Sequence, residues 1–202
     1  MKLLILGATG PTGRHLVSQA LDAKHEVAAL VRDPAKLTEP RVEIIQGDAR
    51  DAATIANAVR GRDAVLSALG VGKSFKQIGI MTHAAENLVA ARVNRLLLVS
   101  AFGVGESMAD ATFLQKIFFN TLLRGIYADK KVADGIIRKS SGEWTIILPT
   151  GLRNGPRTGK YRVGEHLDVT MFPMINRADV ADFMIRELTE RKWIRKTVEI
   201  SN

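Results

Sequence analysis

The sequence predicts an α/β protein built on one doubly wound, mostly parallel sheet with helices on both faces. Three observations predict it. Short aliphatic and β-branched runs alternate with amphipathic stretches of helical period along nearly the whole chain, the pattern of βαβ units. Runs such as Leu3-Leu4-Ile5-Leu6 and Leu96-Leu97-Leu98-Val99 have no polar face, as strands covered on both sides require. The first run ends in a glycine-rich turn that opens a helix.

In chain order, residues 2–6 read as the first strand, followed by Gly7-Ala8-Thr9-Gly10-Pro11-Thr12-Gly13 and a helix over 12–23. A second strand spans 26–31 and runs into Arg32-Asp33-Pro34, where proline suits a helix start and Asp33 its cap. A third strand covers 42–46; after Gly47-Asp48-Ala49-Arg50, Asp51 suits the N-cap of a helix over 51–59. Strands at 64–68, 96–100, 144–148 and 197–200 alternate with helices at 80–91, 113–140 (broken near Arg124-Gly125) and 178–190. The stretch from Arg153 to Ile175 is rich in Gly, Pro and Arg and lacks a core pattern, so residues 150–176 are expected to form a loop region on the substrate side. With no repeat or linker, the expectation is a single domain over 1–202.

Composition removes several function classes. The absence of cysteine excludes disulfides, thiolate metal sites and thiol nucleophiles. His15, His25, His83 and His166 lack ligand spacing, so no metal site is expected. The longest later apolar stretch, residues 113–123, is interrupted by Gln115, Lys116, Asn120 and Thr121 and is too short to span a bilayer. With no leader pattern at the N-terminus, a soluble cytoplasmic protein is expected, without membrane partners and either a monomer or a small homo-oligomer. The net charge of +8 favours anionic partners. The basic residues are scattered and lack interleaved aromatics, so a phosphate-rich small molecule is favoured over nucleic acid.

The glycine loop carries the strongest chemical signal. Glycines let backbone turn tightly and approach a pyrophosphate, while the helix start offers free N–H groups and a positive dipole end. Thr9 and Thr12 add hydroxyls near the same anion. The spacing is GxxGxxG, which departs from the dinucleotide fingerprint GxGxxG. At the end of the second strand an acid normally accepts from the adenosine ribose, whereas arginine accommodates a 2′-phosphate. Arg32 occupies that place with Lys36 nearby, so NADP(H) is expected in preference to NAD(H) on a Rossmann-type domain. Asp48 can accept from the adenine amino group, and Ala68-Leu69-Gly70 offers small residues beside the passing cofactor.

Taken together, GATGPTG, LVRDP, the Gly47-Asp48 pair, VSAFGVG, TIILPTGL, Thr158-Gly159-Lys160-Tyr161 and RADVADFMIREL resemble the atypical short-chain dehydrogenase/reductase superfamily. The resemblance runs nearly end to end and is to the NAD(P)H-binding, NmrA-like branch, in particular its biliverdin-IXβ and flavin reductase members. It implies that Gly7, Thr9, Gly10, Pro11, Thr12 and Gly13 surround the pyrophosphate, with Arg32 at the 2′-phosphate and Asp48 and Ala49 flanking the adenine. It further implies Leu69, Gly70 and Met81 beside the cofactor, Ser100 next to the nicotinamide, and Pro149, Thr150, Gly151 and Leu152 on the nicotinamide and substrate side. Two positions depart from the family pattern: Val99 stands where Thr or Ser is common, and Thr150-Gly151 where a bulky or basic residue follows the proline.

For catalysis, Ser100 together with Tyr127 and Lys131, spaced YxxxK on one helical face, matches the Ser-Tyr-Lys set of short-chain dehydrogenases. The neighbouring Lys130 and Asp134 instead fit the lysine-to-acid helix pattern of the NmrA-like branch. A flavin acceptor would need little acid catalysis, since two reactive rings have only to be stacked and oriented. The stripe Phe113, Leu114, Ile117, Phe118 and Leu122 reads as core, leaving Phe119 and Leu123 for a dimer face or an acceptor wall.

The resulting expectation is an NADPH-dependent reductase of a planar, conjugated, anionic acceptor, with a flavin (FMN or FAD) or bilin as substrate and not as prosthetic group. Arg153, Arg157, Lys160 and Arg162 would form a basic lid that draws in its phosphate or propionates. The alternative is a non-catalytic NADP(H)-binding redox sensor of the NmrA-like type. Sugar-nucleotide epimerase chemistry is disfavoured, because only about fifty residues follow Thr150 to build a substrate domain.

Overall fold

In the computed structural model, residues 1–71, 79–121, 123–169 and 173–202 are described. The strands are β1 (Lys2–Leu6), β2 (Glu26–Val31), β3 (Val42–Gln46), β4 (Ala64–Ser67), β5 (Arg95–Val99), β6 (Glu143–Pro149), β7 (Gly151–Arg153), β8 (Arg162–Gly164), β9 (Met174–Asn176) and β10 (Lys196–Ser201). The helices are α1 (Pro11–Asp22), α2 (Ala52–Ala58), α3 (Ile80–Ala90), α4 (Phe113–Thr121), α5 (Arg124–Arg138) and α6 (Arg177–Glu190). Among the described residues, eight strands form one sheet in the order β3-β2-β1-β4-β5-β6-β10-β8. Every pairing in it is parallel except β8 on β10. Chain order reverses between β1 and β4, the switch point at which open α/β sheets bind ligands.

Alternation along each strand divides the apolar residues between two cores. Leu3 and Ile5 pack with Leu16, Val17, Val180 and Met184 under α1 and α6. Leu4 and Leu6 pack with Ile55, Met81, Leu88 and Ile137 under α2, α3 and α5. The runs with no polar face are therefore covered on both sides, and side-chain period two decides which helix layer each residue meets.

The first three strands occupy the expected residues, and the helices start or stop within a residue or two of the expected places. Two differences have physical causes. The 150–176 region holds β7, β8 and β9, each of three residues and too short to show a period. Strand β5 begins at Arg95, a residue whose charge reads as a strand boundary. Arg95 is 2% exposed, and its guanidinium lies 3.0 Å from the buried carboxylate of Glu187 on α6. It also donates to Thr145 Oγ1 at 2.8 Å, while Glu187 accepts from the backbone of Lys192 and Trp193. Both ions are thus paired and further hydrogen-bonded, the condition under which charges survive burial.

The α4 stripe is corrected. Phe113, Leu114 and Ile117 are 76%, 60% and 48% exposed, and Leu122 lies outside the described residues. Periodicity reports that a helix has an apolar face but not whether a neighbour covers it.

Candidate functional site

A groove of about 450 Å³ opens at the switch point between the ends of β1, β2 and β4. Its lining includes Gly7, Thr9, Gly10, Pro11, Arg32, Asp48, Ala49, Leu69 and Gly70 from the expected cofactor set. Local stereochemistry fixes the loop. Gly7 has φ +78°, and a Cβ there would lie 2.5 Å from the Ala68 carbonyl oxygen. A Cβ on Gly13 would lie 2.0 Å from the Gly7 carbonyl oxygen. The two glycines therefore let α1 begin hard against the end of β1. No side chain caps α1 at Gly10, and Pro11 stands in its first turn. Gly10 and Pro11, at this uncapped helix start, line the groove, and a nucleotide pyrophosphate fits there. Thr12 and Gly13 are buried behind the loop, and Met81 is buried behind the groove wall.

At the end of β2, Arg32 is exposed on the groove rim. Asp33, the neighbour able to bind a ribose hydroxyl, is engaged elsewhere. Its carboxylate accepts from Ala35 N at 3.2 Å as the N-cap of the short helix Pro34–Lys36 and pairs with Lys36 at 3.1 Å. Across the groove, Asp48 accepts from Arg50 through Nε and Nη2, the latter at 2.7 Å, and from Arg50 N. The Arg50 hydrogen bond holds the Asp48 carboxyl below the usual carboxylate range. Asp51 caps α2 as expected, accepting from Thr54 N. Arg14, on the first turn of α1, donates to the Lys36 carbonyl at 2.8 Å and ties the post-β2 turn to the glycine loop. Sequence reasoning missed Arg14 and Arg50. The available signals were the adjacency of Arg14 to the glycine loop and the two-residue spacing of Arg50 from Asp48.

At the end of β5 the hydrogen bonds pair Ser100 with Asp134. Ser100 Oγ donates to Asp134 Oδ2 at 2.7 Å; the two residues are 4% and 1% exposed. Burial pushes the Asp134 carboxyl up, opposed by the Ser100 hydrogen bond and the Lys130 and Arg138 charges. The Lys130 amine donates to the Val99 carbonyl, and burial pushes its ammonium down against the Asp134 and Asp129 charges. Tyr127 and Lys131 are placed differently. The Tyr127 hydroxyl donates to the Phe102 carbonyl at 2.9 Å, its ring stacks on Phe119, and burial pushes the phenol up. Lys131 is exposed one position further round α5. The helix thus turns the lysine-to-acid face, and not the YxxxK pair, towards Ser100. Asp129 caps α3, accepting from the backbone of Gly79, Met81 and Thr82.

At the end of β6 and just past it, Pro149 and Thr150 are buried, Leu152 is half-buried and Gly151 is exposed. The Thr150 hydroxyl lies 3.1 Å from Ser201 Oγ on β10. The basic residues from the end of β7 onward are held by contacts of their side chains. Arg153 donates to Asn176, Arg157 faces Asp182 at 3.7 Å, and Arg162 donates to the Asp168 carbonyl. Asp179 accepts from Thr158 N and Gly159 N, clamping the turn that leaves Lys160 exposed. Among the described residues no three His, Asp or Glu side chains are grouped to hold a metal, and no helix is long and apolar enough to cross a membrane.

Comparisons with known proteins give the family and the fold. The model of a family described as NAD(P)H-binding matches residues 7–191. An uncharacterized sugar epimerase of Bacillus subtilis, YhfK, is 29% identical over all of this chain and 94% of its own length. Among solved structures, the anaerobilin reductase ChuY of Escherichia coli O157:H7 superposes with a TM-score of 0.83 at 23% identity, covering 99% of this chain and 96% of its own. A putative NADH-flavin reductase of Streptococcus pneumoniae gives 0.84 at 22%, covering 100% and 99%. Those two likenesses show a shared Rossmann-like α/β fold. The groove at the switch point, the glycine loop whose Cβ positions are filled by backbone, and a family match from Gly7 to Arg191 lead to one conclusion: this chain belongs to the NAD(P)H-binding family.

Proposed function

We propose that the chain is an NADPH-dependent reductase whose acceptor is a planar, conjugated anion, a free flavin or a bilin. The observation that carries the reading is the buried Ser100–Asp134 pair with Lys130 beside it, at the strand end next in line to the nucleotide groove. Buried acids with a cation beside them cluster at sites of chemistry, which supports a reductase over a protein that only holds nucleotide.

The uncapped start of α1 binds the pyrophosphate, and Arg32 takes the 2′-phosphate that Asp33, held by Ala35 and Lys36, leaves unopposed. Asp48, oriented by Arg50, accepts from the adenine amino group. The bound nicotinamide supplies a hydride. Ser100 orients the reacting group of the acceptor by a hydrogen bond, and the 2.7 Å contact with Asp134 fixes its rotamer. The exposed Phe113, Leu114 and Ile117 on α4 offer an apolar wall for a flat ring system; Phe119 anchors α4 by stacking on Tyr127 beside the turn after β5.

The test follows NADPH absorbance with FMN, FAD and biliverdin as acceptors, with NADH in parallel. Acceptor-dependent oxidation that prefers NADPH is expected. Tight nucleotide binding without turnover of any acceptor would replace the reductase with the redox sensor, and preference for NADH would remove the role of Arg32.

A further inference from the structure

Asp134 has a second oxygen, Oδ1, that is buried and finds no hydrogen-bond partner among the described residues. A buried carboxylate with one oxygen unmatched is costly, whereas a neutral carboxyl needs fewer partners. Among the described residues, the charges that reach Asp134 are those of Lys130 and Arg138, both on α5, while the position after β5 contributes the neutral Ser100 hydroxyl. Burial outweighs those two cations and pushes the carboxyl up. Arg138 is partly occupied by Thr197, to which its Nε donates at 3.2 Å, and the Lys130 amine by the Val99 carbonyl.

On the reductase reading above, we propose that Asp134 is the proton reserve of the site and that Ser100 passes its proton to the acceptor. With Asp134 neutral, its O–H donates to Ser100 Oγ and the serine hydrogen is free to point at the acceptor. As the hydride brings two electrons and one hydrogen to an acceptor carbon, the Ser100 O–H bond breaks and an N–H bond forms on the acceptor. The Asp134 O–H bond breaks in the same movement and restores the serine hydroxyl. The carboxylate left behind faces the Lys130 ammonium until a proton returns from solvent. A bilin needs both hydride and proton. A flavin needs only the hydride at N5, since N1 can remain anionic. The relay therefore matters for one class of acceptor more than for the other.

Asp134→Asn keeps a donor to Ser100 and removes the transferable proton. The first readout needs no turnover: the infrared difference spectrum between the NADP⁺-bound wild type and Asp134→Asn, recorded near neutral pH, should contain a neutral-carboxyl band. Its absence overturns the proposal, because the reserve would hold no proton. The second readout is the ratio of initial rates on biliverdin and FMN. The variant should lower that ratio by roughly 10- to 100-fold, within the range general acids contribute, and should erase the fall of the bilin rate at alkaline pH. Ser100→Ala, which cuts the relay at its exit, should lower the ratio similarly and serves if Asp134→Asn does not fold. An unchanged ratio in the folded variants overturns the relay while the reductase stands. A wild type that turns over neither acceptor sinks the reductase reading, and the relay with it, whatever the infrared spectrum contains.

Discussion

Arg32 and Gly13 let the proposed nucleotide site be tested one residue at a time. Arg32 contributes a charge that a 2′-phosphate can pair with, and charge-assisted contacts of that kind are worth about 1.5–3 kcal/mol. Arg32→Ala should therefore weaken NADPH binding by about 10- to 100-fold and leave NADH nearly unchanged in a fluorescence titration. Equal losses for both nucleotides would assign the residue a structural role. Gly13→Ala forces a methyl into a space where the Gly7 carbonyl oxygen stands 2.0 Å away. Overpacking of this kind costs about 1–3 kcal/mol, so a lowered Tm together with lost nucleotide affinity is expected. The tight turn at Gly13 and the exposed place of Arg32 after β2 were legible because each depends on immediate neighbours in sequence. Arg50, Arg14 and the pairing of Ser100 with Asp134 were not, because each depends on which way a turn or helix face points.

Among elements, β5 and α6 are joined by the Arg95–Glu187 pair, both partners at most 2% exposed. Removing one partner leaves the other buried without compensation. Glu187→Ala should cost about 3–5 kcal/mol in urea unfolding, while a double variant with apolar residues at both positions should recover much of it. A loss below about 1 kcal/mol would mean that the pair is solvated, as exposed ion pairs are. The helix ends divide in the same way. Asp51 caps α2 from the adjacent residue and could be read from sequence, whereas Asp129 caps α3 from α5, fifty residues away from Gly79. Long strands such as β1 and β6 announce themselves by composition. The three-residue strands β7, β8 and β9 exist because neighbouring backbone is in reach, which no local pattern records.

At the scale of the whole molecule, Glu199 links β10 to the two segments that pack over it. It is fully buried, accepts from Leu167 N at 2.8 Å, and has Asp110 and His166 as its charged neighbours. Burial, reinforced by Asp110, pushes its carboxyl from 4.5 up to about 7. The native state thus binds this proton more tightly than the unfolded chain does. The contribution to stability is complete below the ordinary glutamate value and is lost as pH rises through about 7. The neighbouring His166, raised by its hydrogen bond to Asp110, titrates in the same sense. Urea midpoints measured across this window should fall with rising pH in the wild type, and Glu199→Gln should flatten the slope; an undiminished slope would place the linkage elsewhere. The order of strands has a separate consequence for descent. The residues lining the nucleotide groove all lie between Leu6 and Ile80, whereas Ser100 and Asp134 come from later, widely spaced segments. Inherited changes in 101–112 or 153–169 can accumulate without touching the nucleotide half. On the proposed function, a lineage carrying this scaffold is free to exchange one acceptor for another while its source of reducing power stays the same.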